Sequence, residues 1–93
     1  MSITVRVPAP LRNLTKEQSK IEIDALTISE LIDGLESLYP GMKDRLLDEN
    51  GELRYFVNLY LNGEDVRFLN GVDTNVNSGD ELSIVPAVAG GSL

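Results

Sequence analysis

The chain has 93 residues, 42% of them hydrophobic and 25% charged, with no cysteine, histidine or tryptophan. The absence of cysteine excludes a disulfide staple, a thiolate nucleophile and a Cys-based metal centre, and the absence of histidine removes the commonest general base near neutral pH. Fifteen acidic residues against eight basic ones give a net charge of −7 and a pI near 4.3, which argues against nucleic acid or anionic lipid as a partner, because both call for a Lys/Arg footprint.

The first segment, Ser2-Ile3-Thr4-Val5-Arg6-Val7, alternates polar and apolar residues, the period of a half-buried strand with Ile3, Val5 and Val7 inward. Pro8 and Pro10 end it, and Leu11 and Leu14 in the following loop are placed to plug the core edge. Lys20-Ile21-Glu22-Ile23-Asp24 alternates again, so the two strands read as a hairpin. Thr27-Ile28-Ser29-Glu30 fits a capping box and opens a helix. Ile28, Leu31, Ile32, Leu35 and Leu38 fall on one helical face; Glu30, Asp33, Glu36 and Ser37 fall on the other. Gly34 lies at the edge of the apolar stripe, where close packing accounts for it, and Tyr39-Pro40-Gly41 breaks the helix.

Residues 42–47 form a short second helix in this reading, and Asp48-Glu49-Asn50-Gly51 a polar turn. Residues 55–61, Tyr-Phe-Val-Asn-Leu-Tyr-Leu, make the strongest strand of the chain. Asn62-Gly63 is a hairpin-turn dipeptide, and Val66-Arg67-Phe68 reads as a short returning strand. After turns at Asn70-Gly71 and Ser78-Gly79-Asp80, Glu81-Leu82-Ser83-Ile84-Val85 is the last strand. The order strand, strand, helix, strand, short strand, strand predicts an α+β β-grasp (ubiquitin-like) fold. It has a mixed sheet of four to five strands with one main helix on one face.

Residues 1–86 make one domain on this reading and 87–93 a flexible tail. No apolar run reaches membrane-spanning length and no basic–apolar leader follows Met1, so a cytoplasmic protein without a membrane partner is expected. Neither a Gly-x-Gly-x-x-Gly nor a P-loop pattern occurs, so no bound cofactor or nucleotide is expected on the chain itself.

The tail, Ala87-Val88-Ala89-Gly90-Gly91-Ser92-Leu93, carries no charged side chain. Pro86 removes a ladder donor and stops the sheet, so the tail is expected to leave as an extended segment. Two glycines without Cβ atoms let a narrow channel close around their backbone. The run Gly79-Asp80-Glu81-Leu82-Ser83-Ile84-Val85-Pro86-Ala87-Val88-Ala89-Gly90-Gly91 closely resembles the C-terminus of the MoaD/ThiS sulfur carriers. That pattern is a Gly-Asp turn, an alternating strand, a Pro, and a small-residue tail ending in Gly-Gly. Residues 56–67 resemble the central hairpin of that family. Asp65-Val66-Arg67-Phe68 and Pro86-Ala87-Val88-Ala89-Gly90-Gly91 look most like the CysO-type branch that serves cysteine biosynthesis. The resemblance covers essentially the whole chain.

The resemblance implies a carrier, not an enzyme. An E1-like adenylating enzyme draws in the tail through Pro86, Ala87, Val88, Ala89 and Gly90, and spends ATP to adenylate the Gly91 carboxylate. Sulfur then displaces AMP and leaves a thiocarboxylate. In the CysO-type case the sulfur acceptor is an activated serine on a PLP-dependent cysteine synthase, and a JAMM-type metalloprotease releases the cysteine. Molybdopterin synthase large subunit or thiazole synthase are the alternative acceptors, and a ubiquitin-like modifier conjugated to lysines is a further reading. Lacking a thiol, the chain can hold sulfur only at its carboxyl end.

Members of the family in their active state end at Gly-Gly, whereas this chain continues to Ser92-Leu93, so Gly91 carries an amide and the Gly91–Ser92 bond is the expected processing site. The dipeptide is either a native blocking extension that a protease trims or a remnant of cloning. A partner surface is expected on the central strand. Its alternation puts Tyr55, Val57, Leu59 and Leu61 on the helix face, and Phe56, Asn58 and Tyr60 on the open face, where Val85 joins them. Glu64, Asp65, Asp80 and Glu81 are either a steering patch or simply solvated turn positions.

Overall fold

The computed structural model describes residues 2–86. Its first strand, β1 (Ile3–Arg6), buries Ile3 and Val5 as the alternation requires. It pairs antiparallel with β2 (Lys20–Ile23), whose Ile21 and Ile23 are also buried. The loop between them carries a 3₁₀ turn at Ala9–Leu11; Leu11 is buried and Leu14 packs against the core from its rim.

Helix α1 (Ile28–Leu38) starts at a capping box. The Glu30 N–H donates to Thr27 Oγ1 at 3.2 Å, and the Leu26 N–H donates to Glu30 Oε1 at 3.0 Å. Ile28, Leu31, Ile32 and Leu35 are fully buried. Leu38 departs from the expected stripe and is 57% exposed. It is the last helical residue, and the neighbouring Tyr39 packs onto the core instead. A second short helix, α2 (Met42–Leu46), buries Met42 and Leu46. Its first N–H groups are satisfied from α1: Glu36 accepts from the Gly41 N–H at 3.1 Å and the Lys43 N–H at 2.9 Å. A carboxylate at a helix start is favourable there, because unpaired N–H groups point at it.

Strand β3 (Val57–Leu61) buries Val57, Leu59 and Leu61. It begins two residues later than the sequence suggests. A turn closed by the Val57 N–H on the Arg54 carbonyl (3.0 Å) precedes it, so Tyr55 leaves the strand plane and is 89% exposed rather than facing the helix. Asn62 and Gly63, both at positive φ (53° and 89°), turn the chain into β4 (Glu64–Asp65). The returning strand is thus Glu64–Asp65. Val66–Phe68, expected as a strand, is a 3₁₀ turn, because the Asp65 side chain accepts the Arg67 N–H at 2.8 Å and diverts the backbone from the ladder. Strand β5 (Glu81–Pro86) closes the sheet.

The sheet order is β2-β1-β5-β3-β4, with β1 and β5 parallel and the other neighbours antiparallel. This is the mixed five-stranded sheet with one main helix that the element order predicts. The aliphatic faces of β1, β2, β3 and β5 meet α1 in one core. Among the described residues no helix is long and apolar enough to cross a membrane.

Candidate functional site

Strand β5 carries the chain toward its C-terminus through the middle of the sheet. It pairs with β1 only as far as Ser83, then continues beside β3 alone, through Ile84↔Leu59, Val85↔Asn58 and Pro86↔Val57. The Asn62 N–H donates to the Glu81 carbonyl at 2.8 Å, which sets the phase of this ladder. Counting from it, Pro86 and Val57 form a non-hydrogen-bonded pair. Pro86 therefore does not stop the sheet, as the sequence reading has it; it is the last paired residue of β5, at a position where no N–H is used.

The open face of the sheet follows from the same register. Tyr60, Ser83 and Arg6 lie in one cross-strand row, and Asn58 and Val85 in the next. Val85 is 42% exposed, and Asn58 and Tyr60 are half-buried. Phe56 stands at the head of β3 and is 37% exposed, its ring meeting Tyr55 edge-to-face at 5.3 Å. The structure thus brings Phe56, Asn58, Tyr60 and Val85 together on the helix-free face where β5 runs out. The remaining residues singled out in the tail, Ala87, Val88, Ala89, Gly90, Gly91 and Ser92, lie outside the described residues.

Two residues that composition and spacing did not single out complete this corner. Arg67 donates Nη1 to Asn58 Oδ1 (2.6 Å) and Nη2 to the Arg54 carbonyl (2.7 Å). Arg54 donates Nε to the Asp44 carbonyl (2.7 Å), and its guanidinium carbon lies 5.9 Å from the Phe56 ring centre, a cation–π contact. The Asp65-x-Arg67 spacing, which makes a side-chain turn, was the one local signal for Arg67. A cleft of about 400 Å³ adjoins, lined by Glu52, Leu53, Arg67, Gly71 and Val72.

Three of the four acidic residues near the turns make contacts within the fold, and the fourth, Glu64, is exposed. Asp80 accepts from Asn62 Nδ2 (3.1 Å) and from the Asn77 N–H (2.8 Å), Asp65 holds the Arg67 N–H, and Glu81 pairs with Arg6 at 2.7 Å. Among the described residues no three carboxylates gather as a metal site.

This geometry belongs to a known group of proteins. Residues 5–91 match the model of the ThiS family, a match that ends on Gly91. The chain is 43% identical over 93 residues to sulfur carrier protein CysO of Mycobacterium tuberculosis, covering 98% of this chain and 100% of the relative. It is 35% identical over 94 residues to small archaeal modifier protein 3 of Haloferax volcanii, with the same coverage. The crystal structure of the BexX/CysO complex of Amycolatopsis orientalis contains a chain of the same fold, at a TM-score of 0.90 and 44% identity, covering 95% of this chain and 98% of that one. These relatives are named as carriers and modifiers, not as enzymes.

Proposed function

The chain belongs to the ThiS family, and on that premise we propose that it is a sulfur carrier of the CysO type whose Gly91 carboxylate is the loading point. The observation that carries this is the near full-length identity to CysO together with a family match running through Gly-Gly. In this reading the Gly91 carboxylate attacks the α-phosphate of ATP on an E1-like enzyme, and pyrophosphate leaves. A sulfur nucleophile then attacks the acyl carbon, AMP leaves, and a thiocarboxylate remains. The thiocarboxylate sulfur displaces the leaving group of an activated serine on a PLP-dependent cysteine synthase, and a JAMM-type metalloprotease hydrolyses the product from the carrier. Molybdopterin synthase large subunit and thiazole synthase remain as alternative acceptors. ATP is spent by the activating enzyme, the carrier itself binds no cofactor, and the cycle runs in the cytoplasm.

Supporting this reading, β5 ends at Pro86 beside a helix-free face carrying Phe56, Asn58, Tyr60 and Val85, an arrangement suited to docking an enzyme. A relative's occurrence in a complex with a second protein, BexX, fits the same picture. Loading requires a free carboxylate at Gly91, so Ser92-Leu93 must come off first. Mass spectrometry after incubation with the activating enzyme and ATP tests this. The chain ending at Gly91 forms the acyl-adenylate and the 93-residue form does not; equal adenylation of both overturns the processing step.

The likeness to a small archaeal modifier favours a second reading, conjugation of Gly91 to lysines. Gly-Gly remnants on lysines in cell digests, dependent on this chain, distinguish it from the carrier reading.

A further inference from the structure

Among the described residues the ion pairs are Arg6 with Glu81 at 2.7 Å and Lys43 with Asp33 at 2.9 Å. Arg12, Arg54 and Arg67 donate to neutral acceptors instead, Arg12 to the Val7 carbonyl at 3.1 Å, and Arg54 and Arg67 meet at one corner of the fold. Both guanidinium groups are fixed by short bonds, yet every acceptor is neutral: the Asp44 carbonyl, the Asn58 amide and the Arg54 carbonyl. Neither has a carboxylate partner among the described residues, although the chain carries fifteen carboxylate side chains against eight cations. Glu52 lines the same cleft as Arg67 without pairing to it. Both Nη groups of Arg54 are left without an acceptor among the described residues.

A guanidinium held by neutral acceptors keeps its charge uncompensated and its remaining N–H groups aimed, which is the preorganised state for a bidentate carboxylate contact. Here Arg54 lies against the exposed ring of Phe56, and Arg67 is tied to Asn58 and the Arg54 carbonyl at the end of the sheet where β5 runs out. Resting on the carrier reading above, we infer that Arg54 and Arg67 receive a carboxylate side chain of the enzyme that activates the tail, with Phe56 as the apolar anchor beside it. An isolated phosphate would satisfy the charges but leave the Phe56 and Tyr55 rings uncovered, so the occupant is a protein surface carrying an acidic residue next to an apolar socket. The net charge of −7 does not forbid this. Asp44, Glu52 and Asp65 adjoin the two arginines, yet none of them forms an ion pair with either guanidinium.

The test uses the chain ending at Gly91, its activating enzyme and ATP–pyrophosphate exchange, with thermal unfolding run on each variant. Arg54→Gln raises the KM for the carrier about tenfold, worth about 1.4 kcal/mol, at unchanged kcat and an unfolding temperature near that of the parent. Arg54→Lys recovers part of the loss, and the double variant Arg54→Gln/Arg67→Gln loses the salt dependence of KM. Unchanged KM, or a KM rise that retains full salt dependence, overturns the inference while leaving the carrier reading standing. No exchange with the parent chain overturns the carrier reading, and this inference with it.

Discussion

Pro86 faces Val57 across the β3–β5 ladder in a non-hydrogen-bonded pair, so its nitrogen points to the side of β5 that β1 has already left. The proline is thus compatible with a paired position, and its contribution is a fixed φ. Pro86→Ala keeps the register and costs only the added freedom of the unfolded chain, about 0.4–1 kcal/mol. A thermal melt and contacts between residues 57 and 86 by NMR check this. A loss of about 2 kcal/mol or more, beyond what that entropy supplies, shows that Pro86 carries packing as well.

Gly34 packs under β2. A Cβ built there lies 2.8 Å from Ile23 Cγ2. Removing glycine from a helix interior gains about 0.5–1 kcal/mol, but Cγ2 belongs to a buried, β-branched side chain that is stiff at χ1. Overpacking of this kind costs about 1–3 kcal/mol, so the clash wins. Gly34→Ala destabilises by roughly 1 kcal/mol in urea unfolding, and the same change becomes neutral or stabilising on an Ile23→Ala background, where Cγ2 is gone.

Phe56 and Tyr60 are the open-face aromatics, partly exposed and outside the α1-facing core. Phe56→Arg or Tyr60→Arg weakens binding to the activating enzyme at least tenfold, about 1.4 kcal/mol, while circular dichroism and the melting curve stay close to the parent. Collapse of the melting transition in either variant would show instead that the ring belongs to the core.

Lys43 donates to Asp33 at 2.9 Å, and that bond raises its pKa above the ordinary 10.5. A raised folded pKa means the contribution is fully present below pH 10.5 and lost as pH climbs through the folded value. Stability of the parent and of Asp33→Asn therefore runs in parallel from neutral pH upward, and the two curves converge only in strong alkali. Divergence between them in the neutral range would contradict this assignment. The pair is exposed on both sides, so added salt narrows the gap throughout.

Much of the fold could be read in the chain because the relevant forces are local and periodic. Alternation at Ile3, Val5, Ile21, Ile23, Leu82 and Ile84 marks strands whose inner faces are buried. The Thr27/Glu30 box marks the helix start that the structure contains. The open-face residues were legible for the same reason, since a period of two fixes which side each takes once the core side is known. Apart from Pro86, the misreadings have a common form. At Tyr55, at Val66–Phe68 and at Leu38, side-chain hydrogen bonds, a turn or the end of an element interrupts the period.

Composition by itself removed thiolate and imidazole chemistry, because the chain has neither group. The Gly-Gly run near the C-terminus is likewise a property of the sequence, and the family match ends on it. Tertiary structure alone decided the corner where β5 ends at Pro86. Arg54 and Arg67 are thirteen residues apart, and Asn58 is nine from Arg67. They converge because the Asn62-Gly63 turn folds β4 back on β3 and the Asp65 side chain bends the chain at Arg67. Bonds of that kind depend on where two distant stretches of backbone come to rest, and no pattern of neighbours along the chain encodes it.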